Sequence, residues 1–363
     1  MKVIISAGGT GGHFFPAIAI AEELKKRIIG CEVLFIGTGR ELESKMLKER
    51  GFNFMAIHSS GIKKKISLNT FKAIFELFRG FTESIKIMRK IKPNIVVGMG
   101  SYVCVPVILA SSCLNVPTLI HEQNLLPGRA NRLLGYIVDK IAISFEDSTK
   151  YFPKGKVVLT GNPIRENIIT KNRNEAIKDL GFDSSKRTIL VFGGSQGAHS
   201  VNYCFLEVLK YINSYKEKIQ IIWATGEKDY QEISNLAKNC PIKTLISPFF
   251  VNMAEVYAIV DLAICRSGAT TIAELTTKGI PAIFIPYPYA TNNHQELNAD
   301  FVSSHSGGIT LLEKNLNGKV LADAIIDIID NTEKLKNMSE AMKKIAKPEA
   351  AKAVVDLITK TYG

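Results

Sequence analysis

Short apolar runs rich in β-branched residues, each closing on a glycine-bearing or polar turn before an amphipathic helical stretch, recur along this 363-residue chain. KVIIS at 2–6 leads through Gly8-Gly9-Thr10-Gly11-Gly12 to a helical PAIAIAEELKKR, and EVLFIG at 32–37 leads to a helical ESKMLKER. IVVGMG, TLIHEQ, KIAIS and KVVLTG are further strand candidates in the first half. A strand that is apolar on both faces must be covered on both faces, which predicts parallel, doubly wound α/β sheets. An apolar fraction of 46% with 22% charged residues excludes a disordered chain, a collagen-like repeat and a coiled coil. The most apolar stretch, 95–120, is interrupted by Gly98, Gly100, Pro106, Asn115 and Pro117, so it reads as strand, helix, strand rather than a membrane span. The first residues show no cleavage pattern, and no export signal is expected.

The pattern restarts near the middle. TILVFGGSQG is again a strand running into a glycine turn, followed by QIIWATG, KTLISPF, LAICRSG and PAIFIPY with helices between. Gly193-Gly194-Ser195-Gln196-Gly197 repeats the first glycine turn 185 residues further on. Two Rossmann-like halves explain the repeat and place a boundary near Gly161-Asn162-Pro163. Two helical segments, about 318–329 and 333–361, close the chain. The six cysteines form no Cys-x-x-Cys pair, which argues for reduced thiols in a core and against a structural zinc site.

The formal net charge of +12 is uneven. The segment 61–93 carries nine cations, Lys63, Lys64 and Lys65 among them, against Glu76 and Glu83. Within it Phe71, Ile74, Phe75 and Phe78 recur at helical spacing. This is either a basic amphipathic surface for an anionic membrane or a core-facing stripe with a solvated back. No nucleic-acid module accompanies the lysines, so nucleic acid is not an expected partner.

Several turns can carry chemistry. The 8–12 turn and the Gly193–Gly197 turn each open a helix whose N–H groups can approach a phosphate. His13 starts the first such helix, where an imidazole can accept a proton from a substrate hydroxyl. Neither turn is a Walker A sequence, and the second strand ends in Thr38-Gly39-Arg40 without the acidic residue that would hold a nicotinamide ribose. His121-Glu122-Gln123-Asn124 ends another strand, at the edge where α/β folds place ligands. Arg165 follows the boundary turn, and Cys265-Arg266-Ser267-Gly268-Ala269-Thr270-Thr271 precedes a helix containing Glu274, a carboxylate suited to a ribose diol. Gln295 follows the last apolar strand. No Asp-x-Asp triad is present, so no metal and no cofactor are expected, and helix N-termini and hydroxyls would have to stabilise a diphosphate.

Taken together, GGTGGHxxP, HEQN, GNPxR, GGSQGA, CRSGAxTxxE and HQxxNA resemble, in order and from Gly8 to Ala299, the MurG family. These are peripheral-membrane glycosyltransferases that add N-acetylglucosamine to lipid I in peptidoglycan synthesis. The resemblance implies a GT-B architecture of two Rossmann-like domains facing across a cleft. Residues 1–163 would take the lipid-linked acceptor and the membrane, and 164–349 would hold UDP-N-acetylglucosamine. The last helix, about 350–363, can return to the first domain in this fold. It further implies Thr10, Gly11 and Gly12 at the substrate phosphates, Asn124 at the transferred sugar, and Arg165 and Ser195 at the diphosphate. Ala269, Thr270, Thr271, Ile272, Ala273 and Glu274 would line the nucleotide site, with Glu274 on the ribose and Gln295 on the sugar hydroxyls. Phe250 stands where an aliphatic residue often meets uracil, and Met99-Gly100-Ser101-Tyr102 replaces a more frequent Gly-Gly-Tyr, a change expected to matter little because serine is small.

The reaction so implied is attack of the acceptor C4 hydroxyl on the anomeric carbon with inversion and loss of UDP, with His13 as base and Glu122 as the alternative. The expected site of action is the cytoplasmic face of the bacterial membrane, with an anionic lipid surface as partner and room for other cell-wall synthesis proteins. The competing readings are a UDP-N-acetylglucosamine 2-epimerase, another GT-B glycosyltransferase, and a non-enzymatic protein that binds anionic membrane or nucleic acid.

Overall fold

The computed structural model describes residues 1–8, 11–60, 68–194 and 196–362, the side chains of 41–42, 68–72 and 361–362 excepted. Thr10, Lys63, Lys64, Lys65 and Ser195, and the side chain of Phe71, therefore lie outside the described residues. The chain divides into two compact units, Met1–Arg165 with Pro348–Gly363, and Glu166–Lys347.

The first unit is built on seven parallel strands: β1 (Lys2–Ser6), β2 (Glu32–Gly37), β3 (Asn53–Ala56), β4 (Ile95–Gly98), β5 (Thr118–Glu122), β6 (Lys140–Ile143) and β7 (Val157–Leu159). Their order is β3-β2-β1-β4-β5-β6-β7, so the winding reverses between β1 and β4. Alternate residues of β1 feed two cores. Val3 and Ile5 pack with Phe14, Ile18 and Leu24 of the helix Gly11–Arg27, and Ile4 packs with Met88, Val107 and Ile108 on the other face. Two-sided burial is the reason these strands are continuous apolar runs. The helix Ala350–Tyr362 completes the first of these cores with Val354, Val355 and Ile358, and Asp356 accepts a 2.6 Å bond from Arg27.

The second unit carries six parallel strands: β8 (Arg187–Phe192), β9 (Ile219–Ala224), β10 (Thr244–Ser247), β11 (Leu262–Cys265), β12 (Ala282–Phe284) and β13 (Gly308–Thr310). The order is β10-β9-β8-β11-β12-β13, with its reversal between β8 and β11. Trp223 on β9 is fully buried, lies edge-on to Phe205 at 4.9 Å and donates its indole N–H to Asn202 at 3.0 Å.

Three local expectations change. The segment 333–361 is two helices, Thr332–Ile345 and Ala350–Tyr362, because Pro348 lacks an N–H and biases Lys347 away from helical angles. The first helix begins at Gly11 rather than at Pro16, so the proline sits inside it; the bond it forfeits is the one its N–H would have made to the carbonyl of the exposed Gly12. β3 and β13 are additional edge strands. All six cysteines are free thiols, four of them buried.

Candidate active site

In a parallel sheet every strand delivers its following loop to the same edge, and ligands collect where the winding reverses. In the first unit that point is flanked by the turn after β1 and the loop after β4, with the end of β5 next to it. His13 is the third residue of its helix and half-buried. Its Nδ1 lies 2.9 Å from Oε1 of Gln123. The Gln123 amide nitrogen donates to the Met99 carbonyl at 2.9 Å and lies 3.1 Å from Nδ1 of His121, whose Nε2 is 2.9 Å from the Gly161 carbonyl. Burial pushes the His121 imidazole down to about 4; the bond to Gly161 opposes the shift and the nearby His13 adds to it.

Gly100 makes room for this group. Its φ is +90°, and a β-carbon there would stand 3.1 Å from His13 Cε1, 3.2 Å from its Nδ1 and 3.3 Å from Asn131 Nδ2. Ser101 follows with φ +69°, the left-handed region. Serine at this position therefore carries a backbone cost that its small size conceals.

Glu122 is 1% exposed and accepts four bonds from N–H groups. Oε1 takes Asn124 N at 2.9 Å and Asn124 Nδ2 at 3.3 Å; Oε2 takes Gly128 N at 3.1 Å and Asn131 Nδ2 at 2.8 Å. The carboxylate folds the loop that follows β5 and fixes the half-buried Asn124. Arg165 stacks its guanidinium 4.7 Å over the ring of Phe15, one turn into the His13 helix. The first unit thus gathers Gly11, Gly12, His13, Glu122, Asn124 and Arg165 around one sheet edge.

In the second unit the glycine turn after β8 packs on the turn after β9. Gly197 has φ +73°, and a β-carbon on it would fall 2.2 Å from the Thr225 carbonyl, so only glycine closes this contact. Phe250 is half-buried in the loop after β10, which the Gly226 N–H ties to the Pro248 carbonyl at 3.0 Å. The helices His199–Ile212 and Ala269–Lys278 start behind Ala198 and Gly268, residues whose side chains carry no capping acceptor.

Ala269, Thr270, Thr271 and Ala273 lie on the second of these helices, but Ile272 points into the core at 3% exposure. Glu274, also buried, is its sixth residue. Gln295 spends Oε1 on the Tyr287 N–H at 2.9 Å, leaving its NH2 group to donate, and its carbonyl takes the Ser267 hydroxyl at 2.7 Å. Arg266 clamps this edge together, donating to the Ile285 and Pro286 carbonyls, to Glu313 at 2.6 Å and to the Ser200 hydroxyl at 3.1 Å. A cavity of about 550 Å³ beside Ser306, Gly308 and Asn337 opens where β13 starts, at the opposite edge of the sheet from these loops.

Sequence reasoning missed Gln123, His121 and Arg266 as organising residues, although all three stand in the motifs it singled out. On the helix Leu68–Ile91, Ile74, Phe75 and Phe78 are 50–64% exposed, while Ala73, Ser84, Ile87 and Met88 face inward. For Ile74, Phe75 and Phe78 the core-facing alternative is thereby overturned. Leu133 and Tyr136 add exposed apolar surface near the helix Arg129–Leu134, and the helix Cys104–Cys113 packs against both of these helices. Among the described residues, no helix is long and apolar enough to cross a membrane, and no three His, Cys, Asp or Glu side chains converge as metal ligands.

Two parallel-sheet α/β units, each presenting helix N-termini and polar loops at its winding reversal, define a protein of the GT-B class. Residues 3–143 match the Glycosyltransferase family 28 N-terminal domain and residues 188–354 the Glycosyltransferase family 28 C-terminal domain. The chain is 40% identical over 367 residues, covering 99% of it and 98% of its relative, to the UDP-N-acetylglucosamine--N-acetylmuramyl-(pentapeptide) pyrophosphoryl-undecaprenol N-acetylglucosamine transferase of Desulforamulus reducens. It is 30% identical to the crystal structure of Acinetobacter baumannii MurG, with a TM-score of 0.78 and 99% of each chain covered. The chain belongs to glycosyltransferase family 28 and, within it, to the MurG family. It also superposes on a UDP-GlcNAc 2-epimerase from Neisseria meningitidis (TM-score 0.69, 99% and 100% covered), but at 15% identity that likeness concerns the fold alone.

Proposed function

We propose that this chain transfers N-acetylglucosamine from UDP-N-acetylglucosamine to the C4 hydroxyl of undecaprenyl-linked lipid I, with inversion, forming lipid II. Near-full-length identity to transferases named for that donor and acceptor supports the substrates. The geometric observation that carries the chemistry is the half-buried imidazole of His13 in the first turn of a helix at the winding reversal. A base beside a positive helix end is what glycosyl transfer from a diphosphate requires.

In this reading the acceptor oxygen forms its bond to the anomeric carbon as the bond from that carbon to the diphosphate oxygen breaks. The hydroxyl proton passes to Nε2 of His13, and the electron pair leaves with UDP. The first unit takes the acceptor and the second the donor. The helix N-termini behind Gly268 and Ala198, with Arg165 and Ser195, spread the charge that develops on the diphosphate. Thr10, Gly11 and Gly12 meet substrate phosphates, Asn124 and Gln295 the sugar, Phe250 the uracil, and Ala269–Glu274 the nucleoside, Ile272 through its backbone. Glu122 shapes the Asn124 loop; with four N–H donors on its oxygens it has no free lone pair in line for a proton.

The acceptor's polyprenyl chain resides in a bilayer, which supports a peripheral enzyme at the cytoplasmic membrane face. Ile74, Phe75 and Phe78, beside the exposed cations Arg79 and Lys86, supply a surface for an anionic leaflet. The test of the catalytic assignment is His13→Ala, expected to lower kcat about 10²–10⁴-fold with donor KM little changed. Near-wild-type turnover removes His13 from the role.

A further inference from the structure

We propose that Gln123 and His121 are positioning residues that fix the tautomer of His13, placing its proton on Nδ1 and its lone pair on Nε2. The inference deepens the reading of His13 as base and rests on it for its catalytic meaning.

Two carbonyl oxygens in this group can only accept. The Met99 carbonyl lies 2.9 Å from the terminal nitrogen position of Gln123. Were the amide turned over, two oxygens would face each other there, so the amide must point its NH2 group at Met99 and His121 and its Oε1 at His13. At the far end, the Gly161 carbonyl lies 2.9 Å from Nε2 of His121, which must therefore carry a proton. His121 is completely buried, and desolvation holds its ring neutral, leaving Nδ1 as an acceptor for the second Gln123 N–H at 3.1 Å. The Gln123 nitrogen also lies 3.3 Å from the His121 carbonyl, a further acceptor that only the NH2 end of the amide can face. Oε1 of Gln123, 2.9 Å from Nδ1 of His13, can only be answered by an N–H. A neutral His13 then has its lone pair on Nε2.

Where other enzymes set a histidine tautomer with a carboxylate, this chain uses a neutral amide anchored on two backbone carbonyls. An amide partner orients the ring without stabilising imidazolium as a carboxylate would, so the proton is not held after transfer. Gly100 supports the same arrangement by letting the ring lie against the backbone at 3.1–3.2 Å from where a β-carbon would be.

The test has an arm that needs no turnover. The chain has six histidines. With ¹⁵N-labelled histidine, and His13 assigned from the spectrum of His13→Ala, long-range ¹H–¹⁵N correlation of the ligand-free protein should show His13 protonated at Nδ1 only. A His13 protonated at Nε2, or one averaging both forms, overturns the relay. In the second arm, Gln123→Met should lose the tautomer preference and about 10-fold in kcat, with donor KM changed much less. Gln123→Glu should retain more activity than Gln123→Met, because a protonated carboxyl can donate to Met99 while its other oxygen accepts from His13. A purely structural role reverses that order, since a carboxyl beside a carbonyl at a 2%-exposed site is tolerated worse than methionine. If Gln123→Met does not fold, the wild-type spectrum and Gln123→Glu still decide. Failure of His13→Ala to slow transfer would dispose of the base reading while leaving the spectroscopic result to stand or fall separately.

Discussion

Replacing Gly100 by alanine separates the geometry around His13 from general stability. Two costs are expected. The backbone at φ +90° disfavours any residue with a β-carbon, by about 1–2 kcal/mol. The new methyl would also sit 3.1–3.3 Å from three atoms of His13 and Asn131, and over-packing of this kind adds about 1–2 kcal/mol. The total, about 2–4 kcal/mol, corresponds to a fall of roughly 5–15 °C in melting for a unit of this size. Relief requires the imidazole to move by a few tenths of an ångström, and misplacement on that scale should lower kcat about 3- to 10-fold with donor KM nearly constant. Gly155→Ala is the control. It has a similar φ of +84° but nothing within 4 Å of its β-carbon position, so it should lose only the backbone share and keep full turnover. If Gly100→Ala melts like Gly155→Ala and turns over like the wild type, the ring of His13 is not held against this loop and the positional argument fails.

Further expectations follow from the same features. The unfolded His121 ring takes a proton near its ordinary value of 6.5 and the folded ring only near 4. Between these values the unfolded state binds more protons, so stability should fall as pH drops from about 6.5 towards 4, by up to about 3 kcal/mol, with no further loss from this ring below 4. Denaturant titrations of wild type and His121→Gln should show that part of the slope disappear; identical slopes would exclude it. Ser101→Gly should raise stability by up to about 1 kcal/mol by relieving a left-handed serine, and a lower melting temperature would contradict this. The double variant Phe75→Ser, Phe78→Ser should weaken sedimentation with anionic vesicles about 10- to 100-fold, and undiminished binding would place the membrane contact elsewhere.

What was legible in the sequence follows from burial. β1, β2, β4 and β8 are covered on both faces and announce themselves as unbroken apolar runs. β3 is a largely exposed edge strand, and β13 is only three residues long and begins with glycine; neither has a pattern to read. The glycine turns were visible because phosphate cradles and close backbone contacts need glycine, as at Gly197. The partnership of His13 with Gln123 was not, because it joins residues 110 apart through the adjacency of β1, β4 and β5. Periodicity revealed the Ile74–Phe78 stripe without its direction: the helix has a second face, Ala73, Ser84, Ile87 and Met88, that takes the core. For the same reason Glu122 and Asn124 could be picked from their motif, while the division of labour within it required the hydrogen bonds.

Transfer of a sugar to a lipid-linked acceptor is tested most directly by following label from UDP-N-acetylglucosamine in the presence of lipid I in detergent micelles. The expected result is a lipid-extractable disaccharide, β-configured at the new linkage, formed in equimolar amount with UDP and only when lipid I is present. Consumption or epimerisation of the donor with lipid I left unglycosylated would contradict it.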